Sequence, residues 1–301
     1  MATTFNLPSE TVEERVGLEA WMERALDKVE IVGEDWNSDG VHDLRTTLRR
    51  CRTMADALNE VNPDSGWHKL KKESADLFHT LGALRDTQVE QNWVKQLGQA
   101  KDPIRKHLLK QLAQQEKKHR KAAKRALDEF DPKRWKKLLK KLRDKARFFP
   151  PESVVFQRLA LVKLNEAVAL YQKARKTRSA VALHTLRKGI KRFRYIVENF
   201  LPQRYEVWSA DLKHLQDLLG EVHDLDVLRR EIVRRKAELA QPCVPVWRNK
   251  IRDARKLRLD EFRMETSKRD SLWLMWRAGF RWAHTLQLAR APEPRSAYSA
   301  S

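Results

Sequence analysis

The sequence predicts an all-α protein, and three observations lead to this prediction. Apolar residues recur at steps of three and four, as in Leu18, Trp21, Met22, Ala25 and Val29, which is the spacing of an amphipathic helix. The chain has only 9 Gly and 11 Pro, so it signals few turns. No stretch alternates between apolar and polar residues over the length of a strand. Long helices with short connections are therefore expected.

Prolines mark the boundaries between the predicted helices. Pro63, Pro103 and Pro202 fall between periodic segments, because proline does not continue a helix. Asp131 and Pro132 have the pattern of a helix N-cap followed by proline at the first helical position. In chain order, the predicted helices lie near residues 9–33, 38–61, 65–83, 86–98, 104–129, 132–147, 152–177, 180–200, 204–221, 224–239, 244–267 and 271–290.

Two sequence patterns each occur twice in the chain. Residues 41–52 (VHDLRTTLRRCR) are matched by residues 183–194 (LHTLRKGIKRFR). Residues 81–89 (LGALRDTQV) are matched by residues 219–227 (LGEVHDLDV), in the same order and at nearly the same separation. A duplicated helical unit explains both matches.

The duplication predicts how the chain is organised. We expect one domain over residues 8–292, built from a first half at 8–149 and a second half at 150–292, with Pro150–Pro151 at their junction. Residues 293–301 are expected to be a disordered tail.

The charge of the chain indicates the kind of partner. The formal net charge is +21, which favours a polyanion: inorganic polyphosphate, nucleic acid, an anionic membrane or an acidic protein. Neither a signal peptide nor an apolar run of about 18 residues is found, so a cytoplasmic protein is expected. Cys51 and Cys243 lie far apart and are expected to be small buried apolar residues rather than a disulfide.

The helix predicted at 38–61 has one cationic and one apolar face. At about 100° per residue, His42 shares a face with Arg45, Arg49 and Arg52, and Arg50 lies at its edge. This face has almost no carboxylates, and like charges three or four residues apart repel one another. A multivalent anion would offset that repulsion, since the planar guanidinium group of arginine donates paired hydrogen bonds to phosphate oxygens.

The second copy repeats the division between faces. His184, Arg187, Lys191 and Arg194 share one face, and Tyr195 joins it. For a single helix, a solvated charged face is an ordinary alternative. Its occurrence in both copies favours a binding site.

A longer motif carries a family resemblance. The pattern His-x-x-Arg-x-x-x-(Arg/Lys)-Arg-x-Arg occurs twice, and each copy is followed by Leu-Gly-x-x-x-Asp. With these motifs the sequence resembles the CHAD family, the conserved histidine α-helical domain, over roughly residues 8–290. The resemblance implies two four-helix-bundle-like halves related by a pseudo-twofold axis. It also implies a basic groove or pore between them that binds inorganic polyphosphate.

The same resemblance implies a set of binding residues. The residues predicted to contact polyphosphate are His42, Arg45, Arg49, Arg50, Arg52, His184, Arg187, Lys191, Arg192, Arg194, Tyr195, Lys72 and Lys213. Catalytic residues, metal ligands and cofactors are not expected. Family members often also carry a CYTH domain, a β-barrel, but this sequence has neither its strand pattern nor its Glu-x-Glu-x-Lys signature.

Other motifs leave alternatives open. His42-Asp43 and His223-Asp224 resemble parts of phosphohydrolase metal sites, but neighbours on a helix point about 100° apart and chelate poorly. Asp86 and Asp224 are interpreted as helix caps or as partners of the arginine-bearing helices. The basic stretch at 101–147 is either a solvated surface, a wider polyanion track or a contact with a granule.

The expected function is therefore binding of inorganic polyphosphate, with targeting to polyphosphate granules as an extension. A nucleic-acid-binding protein is the first alternative, although it calls for exposed aromatic residues among the cations, and only Tyr195 is placed in this way. A phosphohydrolase and a granule scaffold are the other two. Protonation of His42 and His184 below about pH 6.5 is expected to tighten binding.

Overall fold

The computed structural model describes residues 17–289, apart from residues 178, 236, 240 and 268–270. Within them lie eleven α-helices and no strand, which confirms the all-α prediction. In chain order these are α1 Leu18–Glu34, α2 Ser38–Val61, α3 Ser65–Glu73, α4 Ala75–Leu97, α5 Pro103–Asp128, α6 Pro132–Arg147, α7 Val154–Thr177, α8 Ala180–Phe200, α9 Pro202–Arg234, α10 Val244–Ser267 and α11 Leu272–Ala289. The predicted domain start at residue 8, the first part of the first predicted helix and the predicted tail lie outside the described residues.

Two predicted helix breaks are wrong, and both follow a Leu-Gly pair. Helix α4 continues through Gly82, and α9 continues through Gly220 as one long helix. A Cβ at either glycine would lie 3.9 Å from an arginine Nε of the neighbouring helix, Arg45 or Arg187. That distance is an ordinary van der Waals contact, so each glycine lies directly against an arginine of the adjacent helix. Both helices continue because tertiary packing outweighs the weak helix propensity of glycine. Asp86 and Asp224 consequently lie inside helices, so their interpretation as caps is also wrong.

The break in the first half lies instead at Ser74, between α3 and α4. Arg52 of α2 donates to the Ser74 hydroxyl at 2.9 Å and to the carbonyl of Lys71. A cation at the last carbonyls of a helix satisfies acceptors that have no partner within that helix. Arg52 thus fixes the end of α3.

The helices pack in the same order in both parts of the chain. Helix α1 packs on α2 as α7 packs on α8, and α4 packs on α5 as α9 packs on α10. Helix α6 lies against α1, as α11 lies against α7. The two parts meet where α2 packs on α8 and where α4 packs on α9.

Two apolar cores hold these helices together. The larger core includes Trp67, Trp135 and Phe193, and it contains Trp273 and Trp276, the two tryptophans predicted to be buried. The smaller core lies between the α4–α5 and α9–α10 hairpins, so both parts of the chain contribute to it. Of the two cysteines, Cys51 is buried as predicted, whereas Cys243 is only partly buried.

The connection between α6 and α7 is attached to the second part of the chain. The Glu152 amide donates to the Phe200 carbonyl at 2.8 Å. The Glu152 carboxylate accepts from the Gln203 amide and the Arg204 guanidinium, each at 3.0 Å. The segment with Pro150 and Pro151 is therefore anchored to the corner between α8 and α9.

Across the described part of the chain, no helix is both long enough and apolar enough to cross a membrane.

Replacement of Gly98 by alanine tests the smaller core. A Cβ at Gly98 would lie 2.7 Å from Cζ2 of Trp247, which is fully buried and donates to Asp102 at 2.8 Å. Because this indole has little room to move, Gly98→Ala should lower the free energy of unfolding by about 1–3 kcal/mol in urea denaturation. Gly33→Ala in α1, where a Cβ meets nothing within 4 Å, is the control and should change stability by less than about 1 kcal/mol. Equal stability of the two variants would contradict close packing of this core.

Candidate functional site

The two predicted cationic faces meet where α2 packs on α8. The guanidinium of Arg49 lies 5.4 Å from the ring centre of Tyr195, which places it in cation–π contact across the interface. Arg50 of α2 forms an ion pair of 2.6 Å with Glu198 of α8. Asn199 of α8 donates to the Thr53 hydroxyl of α2 at 3.1 Å. The two faces thus form one continuous surface at the junction of the two parts.

Glu198 provides a buried negative charge within this surface. Its side chain is only 3 % exposed, and it lies 2.6 Å from Arg50 and 3.5 Å from Arg194. Burial lowers the pKa of Arg194, but the charge of Glu198 and contacts with Tyr205 outweigh burial, so the net shift is upward. Two of the predicted binding residues, Arg50 and Arg194, therefore share one carboxylate, which offsets part of their positive charge within the interface.

Four other cations form what we call the junction cluster: Arg45 and Arg49 of α2, with Arg187 and Lys191 of α8. The pKa of Lys191 is lowered to about 8, chiefly by burial and then by the positive charges of Arg187, Arg49 and Arg45. The pKa of Arg45 is likewise lowered by burial and by Arg49. Helices from both parts of the chain therefore hold like charges close enough to affect one another.

Hydrogen-bond donors in the junction cluster lack acceptors. The buried Nε atoms of Arg45, Arg49 and Arg187 have no hydrogen-bond partner among the described residues, nor does the Tyr195 hydroxyl. A buried donor without an acceptor costs roughly 1–3 kcal/mol, and more when the group is charged. An anion with several oxygen atoms would satisfy these donors and reduce the repulsion between the cations.

Two carboxylates face the junction cluster from the neighbouring helices. Burial raises the pKa of Asp224 in α9 to about 6; Arg187 and Lys191 oppose this shift, whereas Asp86 of α4 adds to it. Asp86 also acts on Arg45 and Lys191. This placement agrees with the second interpretation of Asp86 and Asp224, as partners of the arginine-bearing helices.

Histidines lie at the N-terminal ends of both cationic faces. His42 is largely exposed as a residue, but its ring is partly removed from water. This partial burial and the charge of Arg85 both lower its pKa. His184 lies with its Nδ1 atom 3.2 Å from Nδ1 of His223. Burial and neighbouring cations lower the pKa of His184, and that of His223 falls to about 4. In the free protein, His42 and His184 therefore become protonated at a lower pH than the expected value of about 6.5.

Four of the predicted binding residues are not members of the junction cluster: Arg52, Arg192, Lys72 and Lys213. Arg52 binds the end of α3 and lies over the Phe78 ring, with 4.8 Å from its guanidinium to the ring centre. Arg192, Lys72 and Lys213 are exposed and form no ion pair within the described residues. Their contact with a ligand stays a prediction.

The sequence interpretation missed Glu198, Arg85 and His223 as members of the site. Glu198 follows Arg194 by four residues, so extending the helical count by one turn would have placed it on the cationic face. Arg85 and His223 occupy matching positions in the Leu-Gly repeats, one residue before each aspartate. Their role depends on how α4 and α9 cross α2 and α8, which helical periodicity does not give.

Comparison with known proteins identifies the family. Residues 18–233, more than half of the chain, match the family model of the CHAD domain. The chain belongs to the CHAD domain family. The fold of this CHAD domain is similar to the crystal structure of the CHAD domain from the plant Ricinus communis, with a TM-score of 0.56 and 21 % sequence identity over 93 % of this chain and 96 % of that one. No curated protein matches the chain.

Lys191 makes the stability of this CHAD domain depend on pH. Its folded-state pKa of about 8 lies below the ordinary value of 10.5, so its charged form opposes folding at neutral pH. This penalty decreases as the pH rises from about 8 towards 10.5. Lys191→Met should therefore raise the free energy of unfolding near neutral pH, on the order of 1 kcal/mol because solvent screens a half-buried group.

The gain should become smaller in urea denaturation at about pH 10, where wild-type Lys191 is largely neutral. Lys188→Met, which removes an exposed lysine from the same helix, is the control. A gain that is equal at both pH values would show that Lys191 does not carry this penalty.

Proposed function

We propose that this CHAD domain binds inorganic polyphosphate at the junction cluster. The observation that carries the proposal is the convergence of Arg45 and Arg49 from α2 with Arg187 and Lys191 from α8. Three of these side chains have a buried Nε without an acceptor. Phosphate oxygens are strong acceptors for guanidinium groups, and they bring the negative charge that the cluster lacks.

A chain of phosphates suits the site better than a single phosphate group. The cluster is supplied by both parts of the chain, and further cations lie at both of its ends. Arg85 acts on His42 at one end, and Lys188 and Arg230 act on His184 at the other. An extended polyanion reaches all of these groups at once, whereas pyrophosphate reaches only some of them.

Nucleic acid is less well suited to the same surface. Single strands bind by stacking their bases on exposed aromatic rings between cations. Two aromatic rings lie beside the cluster, Tyr195 and Phe78, and both are only partly exposed. Each already has an arginine of the cluster over it, Arg49 over Tyr195 and Arg45 over Phe78. Polyphosphate has no bases and needs only the cations.

We propose binding rather than cleavage as the activity, with attachment to polyphosphate granules in the cytoplasm as its consequence. The cluster consists of donors suited to phosphate oxygens, and the nearby carboxylates of Asp224 and Asp86 interact with its cations. Incubation with polyphosphate, with and without Mg²⁺, should therefore release no phosphate over time. Enzyme-dependent release would contradict this part of the proposal.

A competition assay tests the binding proposal. Labelled long-chain polyphosphate is displaced by unlabelled polyphosphate, pyrophosphate, single-stranded RNA or duplex DNA at equal phosphate concentration and at two salt concentrations. Polyphosphate should compete at least about tenfold better than the others, a difference of about 1.4 kcal/mol. Its affinity should fall steeply with salt, because binding releases counterions.

The variant Arg49→Ala, Lys191→Ala should remove this preference. The matched control is Lys106→Ala, Lys110→Ala, which removes two exposed lysines from α5. Circular dichroism and thermal melting confirm that each variant is folded. Equal competition by RNA or DNA, or equal loss in the control, would show that binding depends on general surface charge.

A further inference from the structure

Helix α6 has an outer face made almost entirely of lysine. Its inner side is buried against α1 and α3 through Trp135 and Leu142, and the Trp135 indole donates to the Met22 carbonyl at 2.8 Å. The exposed lysines on the outer side are Lys133, Lys136, Lys137, Lys140 and Lys141. With a rise of about 1.5 Å per residue, they lie along roughly 12 Å of the helix.

Neighbouring carboxylates are already paired with other cations. Glu19 binds Arg147 at 2.7 Å, and Asp64 binds Lys145. On the outer face itself, Asp144 is paired with Arg143 at 3.4 Å. Among the described residues, Lys133, Lys136, Lys137 and Lys140 form no ion pair.

These lysines are placed where they oppose folding. Lys133–Lys137, Lys136–Lys140 and Lys137–Lys141 are like-charge pairs four residues apart, which destabilise a helix. Lys133 also lies in the first turn, where the helix dipole disfavours a cation. A negatively charged partner would offset both effects.

An exposed aromatic side chain continues the same face. Phe148, the residue directly after α6, is 82 % exposed. It follows Lys141 by seven residues and Lys137 by eleven, so it lies within about 20° of both around the helix. At the start of α7, Val154 and Val155 are 43 % and 38 % exposed. The lysine face therefore ends at an exposed aromatic side chain.

We propose that the outer face of α6 and Phe148 dock the protein on an anionic lipid surface. Peripheral membrane binding combines lysines that attract acidic headgroups with an apolar side chain that enters the headgroup boundary. The choice of cation distinguishes this face from the junction cluster. The junction uses mainly arginine, which forms paired hydrogen bonds with phosphate, whereas the outer face of α6 uses mainly lysine, a point charge. An exposed arginine on this face, Arg134, is paired with Asp131 at 3.3 Å. Nucleic acid recognition would favour arginine on this face as well.

Sedimentation with lipid vesicles tests this proposal on the full chain. Vesicles that contain phosphatidylglycerol should bind the protein, and vesicles of phosphatidylcholine alone should not. Replacement of Lys133, Lys136, Lys137 and Lys140 by glutamine should weaken binding at least about tenfold. Phe148→Ser leaves the net charge unchanged and should still weaken binding several-fold. This exposed position also keeps the test decisive should the fourfold variant fail to fold.

The matched control is the α5 variant with glutamine at Lys106, Lys110, Lys117 and Lys121, all exposed lysines on one helix. It loses the same number of charges and should keep most of its vesicle binding. Equal loss in this control, equal binding to neutral vesicles, or no effect of Phe148→Ser would overturn the proposal. The α6 variants should retain their affinity for polyphosphate, so the outcome is independent of the function proposed for the junction. A parallel loss of polyphosphate affinity would instead make α6 part of a polyanion track.

Discussion

The buried charge of Glu198 is the interaction on which the junction depends. Helices α2 and α8 each present a cationic face, and packing these faces together is unfavourable without a counter-charge. Glu198 is paired with both Arg50 and Arg194 and offsets part of the positive charge on the side of the interface nearest the corner between α8 and α9. A second ion pair also joins the two parts of the chain. It lies between Lys163 of α7 and Glu60 of α2, at 2.7 Å. Among the described residues, no ion pair of this kind involves the four cations of the junction cluster, so their positive charge is available to a ligand.

Duplication gives the site its form, and small differences between the copies make its ends unequal. Arg45 packs over Gly82 in one part as Arg187 packs over Gly220 in the other. In both parts an arginine of the cationic face therefore lies directly against the neighbouring helix. At the ends, His42 faces Arg85, whereas His184 faces His223. The two ends therefore differ in the side chain that faces the histidine, which is Arg85 at one end and His223 at the other.

Much of this arrangement could be predicted from the sequence, and the remainder depends on contacts between helices. Periodicity gives the cationic faces of α2 and α8, because it depends only on the positions of residues along one helix. It does not give the continuity of α4 and α9, where Gly82 and Gly220 suggest breaks but lie inside long helices, each against an arginine of the adjacent helix. Nor does it give the pairing of Arg50 with Glu198, since that contact joins residues far apart in the chain. Arg52 lies on the same cationic face as Arg49, but it binds the end of α3, because the Ser74 hydroxyl lies within its reach.

In the proposed function, both parts of the chain contribute to one shared anion site. Isothermal titration with a short polyphosphate of defined length tests it most directly, using wild type, Arg45→Gln and Arg187→Gln. One polyphosphate should bind per protein chain, and each variant should weaken that single binding event. The contrary result is two polyphosphates per chain, one of them unaffected by Arg45→Gln and the other unaffected by Arg187→Gln. That result would show two separate sites rather than one shared site.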